Sequence, residues 1–297
     1  MRLRYLLLHP VEAFRLLKHK GEILIYGVIA ARKFRDVQRA ERAQCFCGGN
    51  LLPFEWHPSY GVCSRCGCYV NRRPPLPDDL KRIYSFDLYW SLRQRMKGQP
   101  AIRQRVQNDI ADGRVAYWLN LVKRYGPSSG QVIEVGCAHG VLLGELQQRG
   151  YTCIGVEPDT KTALWAAQNM HVDVRAGFFP HVELPPCDLF LAFDVLEHSP
   201  DPVAFMQGAA SLLRPNGLAL IQTPIDRYDV KPPFGERFTS AFDDVEHLFL
   251  FTDRAMQELA QRSGLEVVSL AERLWLHHEI AVFRKPDQTA SSEVPRL

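Results

Sequence analysis

The chain has 297 residues, 46% hydrophobic and 23% charged, ordinary globular material long enough for one large core and a smaller attached module. Its formal net charge of +3 is unevenly spread: residues 1–43 hold ten Lys/Arg against four Asp/Glu, so the remainder carries −3 and nucleic acid is disfavoured as a partner. The apolar run from Tyr5 to Leu8 stops at His9 and Pro10, too short for a secretory signal, and Ile23–Ala31 is nine residues where about 20 span a bilayer, so neither export nor a membrane span is expected.

From Val11 to about Arg42 a Leu/Ala/Arg/Lys/Glu composition without proline predicts helix, making residues 1–43 a basic helical leader. Two readings of its apolar face stand: packing on the rest of the protein or on a second copy, and attachment to an anionic membrane surface. Without an export signal the expected location is the cytoplasm, at the inner membrane face if the second reading holds. In that reducing compartment clustered thiols hold metal more often than they form disulfides. Five of the eight cysteines, Cys45, Cys47, Cys63, Cys66 and Cys68, fall within 24 residues. Cys63-x2-Cys66-Gly67 has the form of half a zinc knuckle, and Cys45-x-Cys47 is its expected partner, giving four thiolates for a structural zinc ion. The irregular first pair leaves open whether Cys68 replaces Cys45 or Cys47. Residues 44–77 form this zinc-ribbon-like module, and "NRRPPLPDD" (71–79), with three prolines, reads as a linker.

Residues 78–129 read as a helical pre-domain segment. Its last helix ends at Gly126, with Lys123 and Arg124 in the final turn. Tyr84, Tyr89 and Trp90 there can form a lid over substrate or simply pack against the domain that follows. Across 130–286 short β-rich runs at 131–135, 151–156, 171–175, 187–193 and 217–223 alternate with helical stretches at 140–149, 160–169, 200–213 and 253–263. Such alternation predicts a parallel sheet with helices on both faces, and two last strand-like runs, 265–271 and 274–284, close it before a tail at 287–297. The loop 225–244 is long for a compact domain, which favours contact with substrate.

The turn "VIEVGCAHG" (132–140) asks what it holds. A dinucleotide fingerprint needs G-x-G-x-x-G, but Ala138 stands at the second glycine and Glu134 sits at the strand end, where a carboxylate would repel a pyrophosphate and suit an ammonium group. Glu157, in "GVEPD", ends the second strand where an acidic group accepts ribose hydroxyls. Adenosine without phosphate, and a cationic tail, describe S-adenosylmethionine.

The stretches "VIEVGCAHG", "GVEPD", "CDLFLAFDVLEHSPDP", "LLRPNGLALIQTP" and "EHLFLFT...LAQRSGLEVVSL" resemble, in order, the motifs of class I S-adenosylmethionine-dependent methyltransferases. The resemblance covers residues 131–284 and implies an α/β, Rossmann-like seven-stranded sheet whose last strand is antiparallel. It further implies that Gly136, Cys137 and Gly140 lie along the methionine portion and that Glu157 holds the ribose. Gly177 and Phe178 would lie near the adenine, with Asp194 and Val195 flanking the sulfonium. Ala138 departs from the commoner glycine.

Methyl transfer is an in-line displacement, so positioning supplies much of the rate, and only an unactivated hydroxyl or carbon acid needs a base. In "DVLEH" and "DVEH", His198 and His247 are the candidates for that base. Asp194, Glu197, His198 and His247 could instead hold a divalent ion, resembling family members that methylate hydroxyls with metal help. A third reading makes His198 a brace for the loop. The cysteine block followed by "RRPPLPDDLKRIYSFDLYW" resembles the N-terminal module of bacterial methyltransferases of carbohydrate and secondary-metabolite pathways, which implies a sugar or other small-molecule acceptor. O-Methylation of a hydroxyl is the expected reaction. The alternatives are C-methylation of a keto sugar, an NAD-dependent nucleotide-sugar enzyme, and a silent S-adenosylmethionine-binding protein.

Overall fold

The computed structural model describes residues 10–226, 242–243, 245–275 and 278–287, with side chains from Lys20 onward and without those of 226, 271–275 and 278. The described part of the leader contains one helix, α1 (Pro10–Lys33), which stops well short of Arg42. Beyond it the chain is extended, because Ala40 and Arg42 donate their backbone N–H to the carbonyls of Pro74 and Arg72 at 3.1 and 2.8 Å. The proline-rich stretch is therefore tied down. Prolines donate nothing to a ladder, yet their carbonyls accept, and Pro74 and Pro75 are buried.

Three short strands, β1 (Leu51–Pro53), β2 (Tyr60–Cys63) and β3 (Tyr69–Asn71), make an antiparallel meander around the cysteines. Helix α2 (Pro77–Ile83), a π-helical turn Tyr89–Arg93, α3 (Ile102–Ala111) and α4 (Arg114–Tyr125) come next. Helix α4 ends where its basic last turn and Gly126 predict.

The main domain runs β4 (Gln131–Val135), α5 (Val141–Gln147), β5 (Thr152–Glu157), α6 (Thr160–Met170), β6 (Asp173–Ala176), β7 (Cys187–Phe193), α7 (Pro202–Leu212) and β8 (Leu213–Thr223). It continues through β9 (Ile225–Asp226), β10 (Phe249–Thr252), α8 (Asp253–Ser263), β11 (Glu266–Trp275) and β12 (His278–Arg284). Seven strands form one sheet in the order β11-β12-β8-β7-β4-β5-β6. Strands β4 to β8 pair in parallel, and β12, the last in the chain, lies antiparallel to β8 and β11. Chain order reverses between β4 and β7, and in open α/β sheets a ligand crevice opens at the carboxyl ends of the strands at such a switch.

Period-two alternation decides which side of the sheet each residue serves. Val132, Leu189 and Leu191 pack with Trp118, Val122 and Leu143 of α4 and α5. Ile133, Phe190 and Ile221 face the other way, onto Phe205 and Met206 of α7 and Met256 of α8. A second sheet, β1-β2-β3-β10-β9, joins the cysteine module to the main domain. The sequence reading contains none of its strands, since elements of two to four residues show no periodicity and β3 finds β10 far along the chain.

Asp243, Glu246 and His247 are fastened from two sides. Arg93, 5% exposed, pairs with both Asp243 and Glu246, and Lys97 reaches the same two carboxylates at 3.0 and 2.8 Å. Tyr60 of β2, fully buried, donates to the His247 carbonyl at 2.7 Å. Breaking a buried charge cluster strands its remaining members. Arg93→Met is expected to lower unfolding free energy by about 3–5 kcal/mol in urea denaturation; a loss under about 1 kcal/mol would show that Lys97 alone neutralises the two acids.

Candidate active site

Strand β4 delivers the chain into a turn that closes on β5: Gly136 and Cys137 donate to the Val156 carbonyl at 2.8 and 3.2 Å. Gly136 has φ +71°, and a Cβ there would stand 2.4 Å from a Val195 methyl, so both conformation and space require glycine. Ala138 has φ +49°, a left-handed backbone in a residue with a Cβ. Gly155 on β5 leaves room for Cys137, whose Sγ would lie 2.6 Å from an added Cβ. Glu157 accepts hydrogen bonds from the backbone N–H of Ala138 at 3.1 Å and of Asp159 at 3.4 Å, which fixes its carboxylate against the turn.

These groups wall a cavity of about 620 Å³ at the carboxyl ends of β4, β5 and β7, a size ordinary for a small-molecule site. Glu134, Gly136, Cys137, Glu157, Gly177, Phe178, Asp194, Val195 and His198, all singled out from the sequence, line it. Gly140 does not line it; it starts α5 at φ +71°. Glu134 of β4 and Glu157 of β5, two residues beyond its strand partner Gly155, are both buried, and the Glu134 Oε2 has no hydrogen-bond partner among the described residues. Burial first, then the neighbouring Glu157, pushes the Glu134 carboxyl up to about 8. Burial likewise lifts Glu157 to about 7, against the pull of its two backbone donors. An orphaned acid beside a second acid repels phosphate and fits a ligand carrying positive charge, as the amino-acid portion of S-adenosylmethionine does.

A polar network missed by the sequence reading flanks this end of the cavity. His139, inside the glycine turn, takes the Val141 N–H on Nδ1 at 3.4 Å, so Nε2 carries the proton and donates to Asp109 of α3 at 2.9 Å. Burial raises the Asp109 carboxyl, but the His139 bond and the cations Arg105 and Arg114 outweigh it and hold it below the usual range. Arg114 also grips Asp194, whose other oxygen accepts from Gln222 at 2.8 Å, while the Arg114 guanidinium lies over Trp118. The only cue in the sequence was a histidine among glycines; its partner lies 30 residues upstream.

Tyr84, Tyr89, Trp90 and Phe179 also line the cavity, as does His198, and the Trp90 ring lies 6.5 Å from that of His139. The buried Tyr84 hydroxyl has no partner among the described residues, and the Tyr84 ring lies 5.8 Å from His198. His198 Nδ1 is 2.8 Å from the Glu246 carbonyl, which can only accept, so Nδ1 carries the proton and Nε2 keeps its lone pair. Burial, then the adjacent His247, depresses His198 to about 4. His247 stands behind it, ring centroids 4.9 Å apart, and is not on the cavity wall. Ligand atoms of Glu197, His198 and His247 lie within 4.8 Å of one another. Asp194 stands outside that group, held by Arg114 and Gln222, so the four-residue ion set read from the sequence is not assembled. The loop expected to touch substrate, 225–244, falls mostly outside the described residues.

The cysteines converge elsewhere. Sγ atoms of Cys45, Cys47, Cys63 and Cys66, all buried, lie within 4.8 Å of one another, with 3.4 Å between Cys47 and Cys63 and 3.7 Å between Cys45 and Cys66. Tetrahedral thiolates at a zinc ion are about 3.8 Å apart. Cys68, fully buried beside Cys45 and Cys66, is not one of the four, and its thiol donates to the Leu250 carbonyl at 3.2 Å. The four-thiol group thus includes both Cys45 and Cys47 despite their short spacing.

Comparison with known proteins agrees with this geometry. Residues 105–270, more than half of the chain, match the family described as "Methyltransferase domain". The ubiquinone biosynthesis O-methyltransferase of Haemophilus ducreyi is 24% identical over 180 residues, covering 51% of this chain and 75% of that protein. Its namesake from Bradyrhizobium diazoefficiens is 31% identical over 99 residues, covering 31% of this chain and 39% of that protein. The chain thus spans three quarters of the first relative but well under half of the second. An O-methyltransferase family protein from Burkholderia thailandensis has the same fold, at TM-score 0.50 and 16% identity over 71% of this chain and 68% of that one. No helix among the described residues is long and apolar enough to cross a membrane. With the family matched over the sheet that builds the cavity, the chain belongs to the methyltransferase domain family and is an S-adenosylmethionine-dependent methyltransferase.

Proposed function

We propose that this enzyme O-methylates a hydroxyl of a sugar or other small metabolite, with His198 as general base. The observation that carries the reading is the His198 tautomer: with Nδ1–H bound to the Glu246 carbonyl, Nε2 keeps a lone pair in a side chain that lines the cavity. The names of the curated relatives agree with oxygen as the acceptor atom. A sulfonium cofactor, when bound, supplies an electrophilic methyl group. Glu157 holds its ribose hydroxyls, and Glu134, with Gly136 and Cys137, faces its cationic amino-acid portion. Asp194 and Val195 border the sulfonium, while Gly177 and Phe178 border the adenine. Tyr84, Tyr89 and Trp90 hold the acceptor ring and exclude water. As the acceptor oxygen attacks, His198 Nε2 takes its proton, and Glu197 Oε1 at 3.9 Å steadies the imidazolium. The nucleotide-sugar oxidoreductase reading falls with the family match.

His198→Gln is expected to lower kcat by about 10²–10⁴-fold with S-adenosylmethionine affinity unchanged. Because His198 is depressed to about 4, the acid limb of kcat at saturating cofactor should lie near pH 4 rather than 6.5. The same shift has a stability consequence: the unfolded histidine binds its proton first, so stability falls as pH drops from about 6.5 toward 4. A fully active His198→Gln enzyme removes the base. The grouping of Glu197, His198 and His247 favours a second reading, a divalent ion polarising the acceptor. His247→Ala separates the two, since only the ion route loses activity with it. A protein that binds S-adenosylhomocysteine but labels no hydroxyl compound in extract from the source would be a silent binder.

Cofactor affinity should itself depend on pH. A cationic ligand favours ionised carboxylates, so dissociation constants measured by calorimetry should tighten as pH rises from 6 through about 8, by up to about tenfold per unit, and Glu134→Gln should flatten the slope. A flat wild-type profile removes Glu134 from cofactor binding.

We further propose that Cys45, Cys47, Cys63 and Cys66 hold one structural zinc ion, making residues 44–77 a zinc-ribbon-like module. The buried four-thiol cluster supports this. One zinc per chain is expected by elemental analysis. Cys63→Ser should lose the zinc and melt several degrees lower, because Cys66 and Cys47 carbonyls accept from Thr252 and Arg262 of the main domain. Stoichiometric zinc retained by that variant would sink the assignment.

A further inference from the structure

Away from the cavity, the outward side of α1 is the largest feature with no role so far. Its inward side is accounted for. Glu22 pairs with Arg95 at 3.9 Å, the Tyr26 ring lies under the same guanidinium, Ala30 is buried, and Phe34, just past the helix, lies under Arg93. The outward side carries Leu24, Ile25, Val28 and Ile29, exposed by 71, 60, 50 and 41%. These are four of the ten exposed large hydrophobic side chains among the described residues, and they are contiguous on one helix. Scattered single hydrophobics need no explanation; a contiguous patch does.

The patch has basic ends. Lys20 lies one turn before Leu24, and Arg32 and Lys33 lie one turn after Val28 and Ile29; all three are exposed. The only acid between residues 20 and 33 is Glu22, which is turned to Arg95. We propose that α1 docks by this side onto an anionic phospholipid surface, lying in the plane of the headgroups. Aliphatic residues would enter the acyl boundary while Lys20, Arg32 and Lys33 meet lipid phosphates, as physical chemistry prescribes for a basic amphipathic helix. The surplus of six positive charges in residues 1–43 adds to the attraction. A second copy fits the same surface less well. Antiparallel pairing of two such helices sets the basic start of each against the basic end of the other, and parallel pairing sets like against like.

Flotation of the full chain with vesicles of pure phosphatidylcholine, and of phosphatidylcholine with phosphatidylglycerol, tests this independently of the methyl-transfer chemistry. Binding is expected to the anionic vesicles, weak with the neutral ones and reduced by salt. Leu24→Glu with Val28→Glu should weaken it roughly tenfold. Lys20→Glu with Arg32→Glu and Lys33→Glu should weaken it roughly a hundredfold. Both variants should keep the wild-type melting temperature and S-adenosylhomocysteine binding, since no cavity residue changes. The proposal is overturned by absent flotation, by flotation that both variants retain, or by a dimer in light scattering that Leu24→Glu with Val28→Glu dissolves.

Discussion

The seating of Val195 on Gly136 is the contact on which the rest of the site depends. It joins the loops that leave β4 and β7, the two strands where chain order reverses, and tolerates no side chain at position 136. Because the turn is pinned there, its next N–H groups reach β5, and Ala138 reaches Glu157. Because Val195 is pinned there, Asp194 is drawn to Gln222 and Arg114, and the short helical turn Leu196–His198 starts at a fixed place. Both loops are thus set by one close approach of backbone to a methyl group.

The part of this arrangement that could be read from the sequence is the part encoded locally. A buried strand running into glycines, an acid at the end of the next strand, and alternation of strands with helices all arise from neighbours in the chain, and the sheet formed accordingly. What could not be read depends on partners far apart. Arg93 finds Asp243 across 150 residues, Tyr60 finds the His247 carbonyl across 187, and His139 finds Asp109 from an adjoining helix. None leaves a periodic trace. Composition also misled once, where helix-favouring residues after Lys33 run extended because the carbonyls of Arg72 and Pro74 capture their N–H groups.

Those distant partners bear on chemistry as well as stability. His198 is held in one tautomer by the carbonyl of Glu246. The side chain of Glu246 lies in the charge cluster with Arg93 and Lys97, and the next residue's carbonyl accepts from Tyr60. Three regions of the chain therefore converge on Asp243, Glu246 and His247 behind one imidazole: the turn Tyr89–Arg93, the cysteine meander and the segment after β7. A rigid backing of this kind serves a group whose ring must be presented in one orientation.

The shared strand pairing of β3 with β10 gives the cysteine module a further part to play. The backbone of Phe249 and Leu250 forms its ladder with Val70 and Tyr69, which joins the meander to β10 inside the small sheet. Cut away at the proline stretch, the main domain would be left with a naked ribbon edge flanked by Phe249, Leu250 and Phe251, an invitation to stick to its own kind. The small N-terminal lobe acts as a sheath for the larger one.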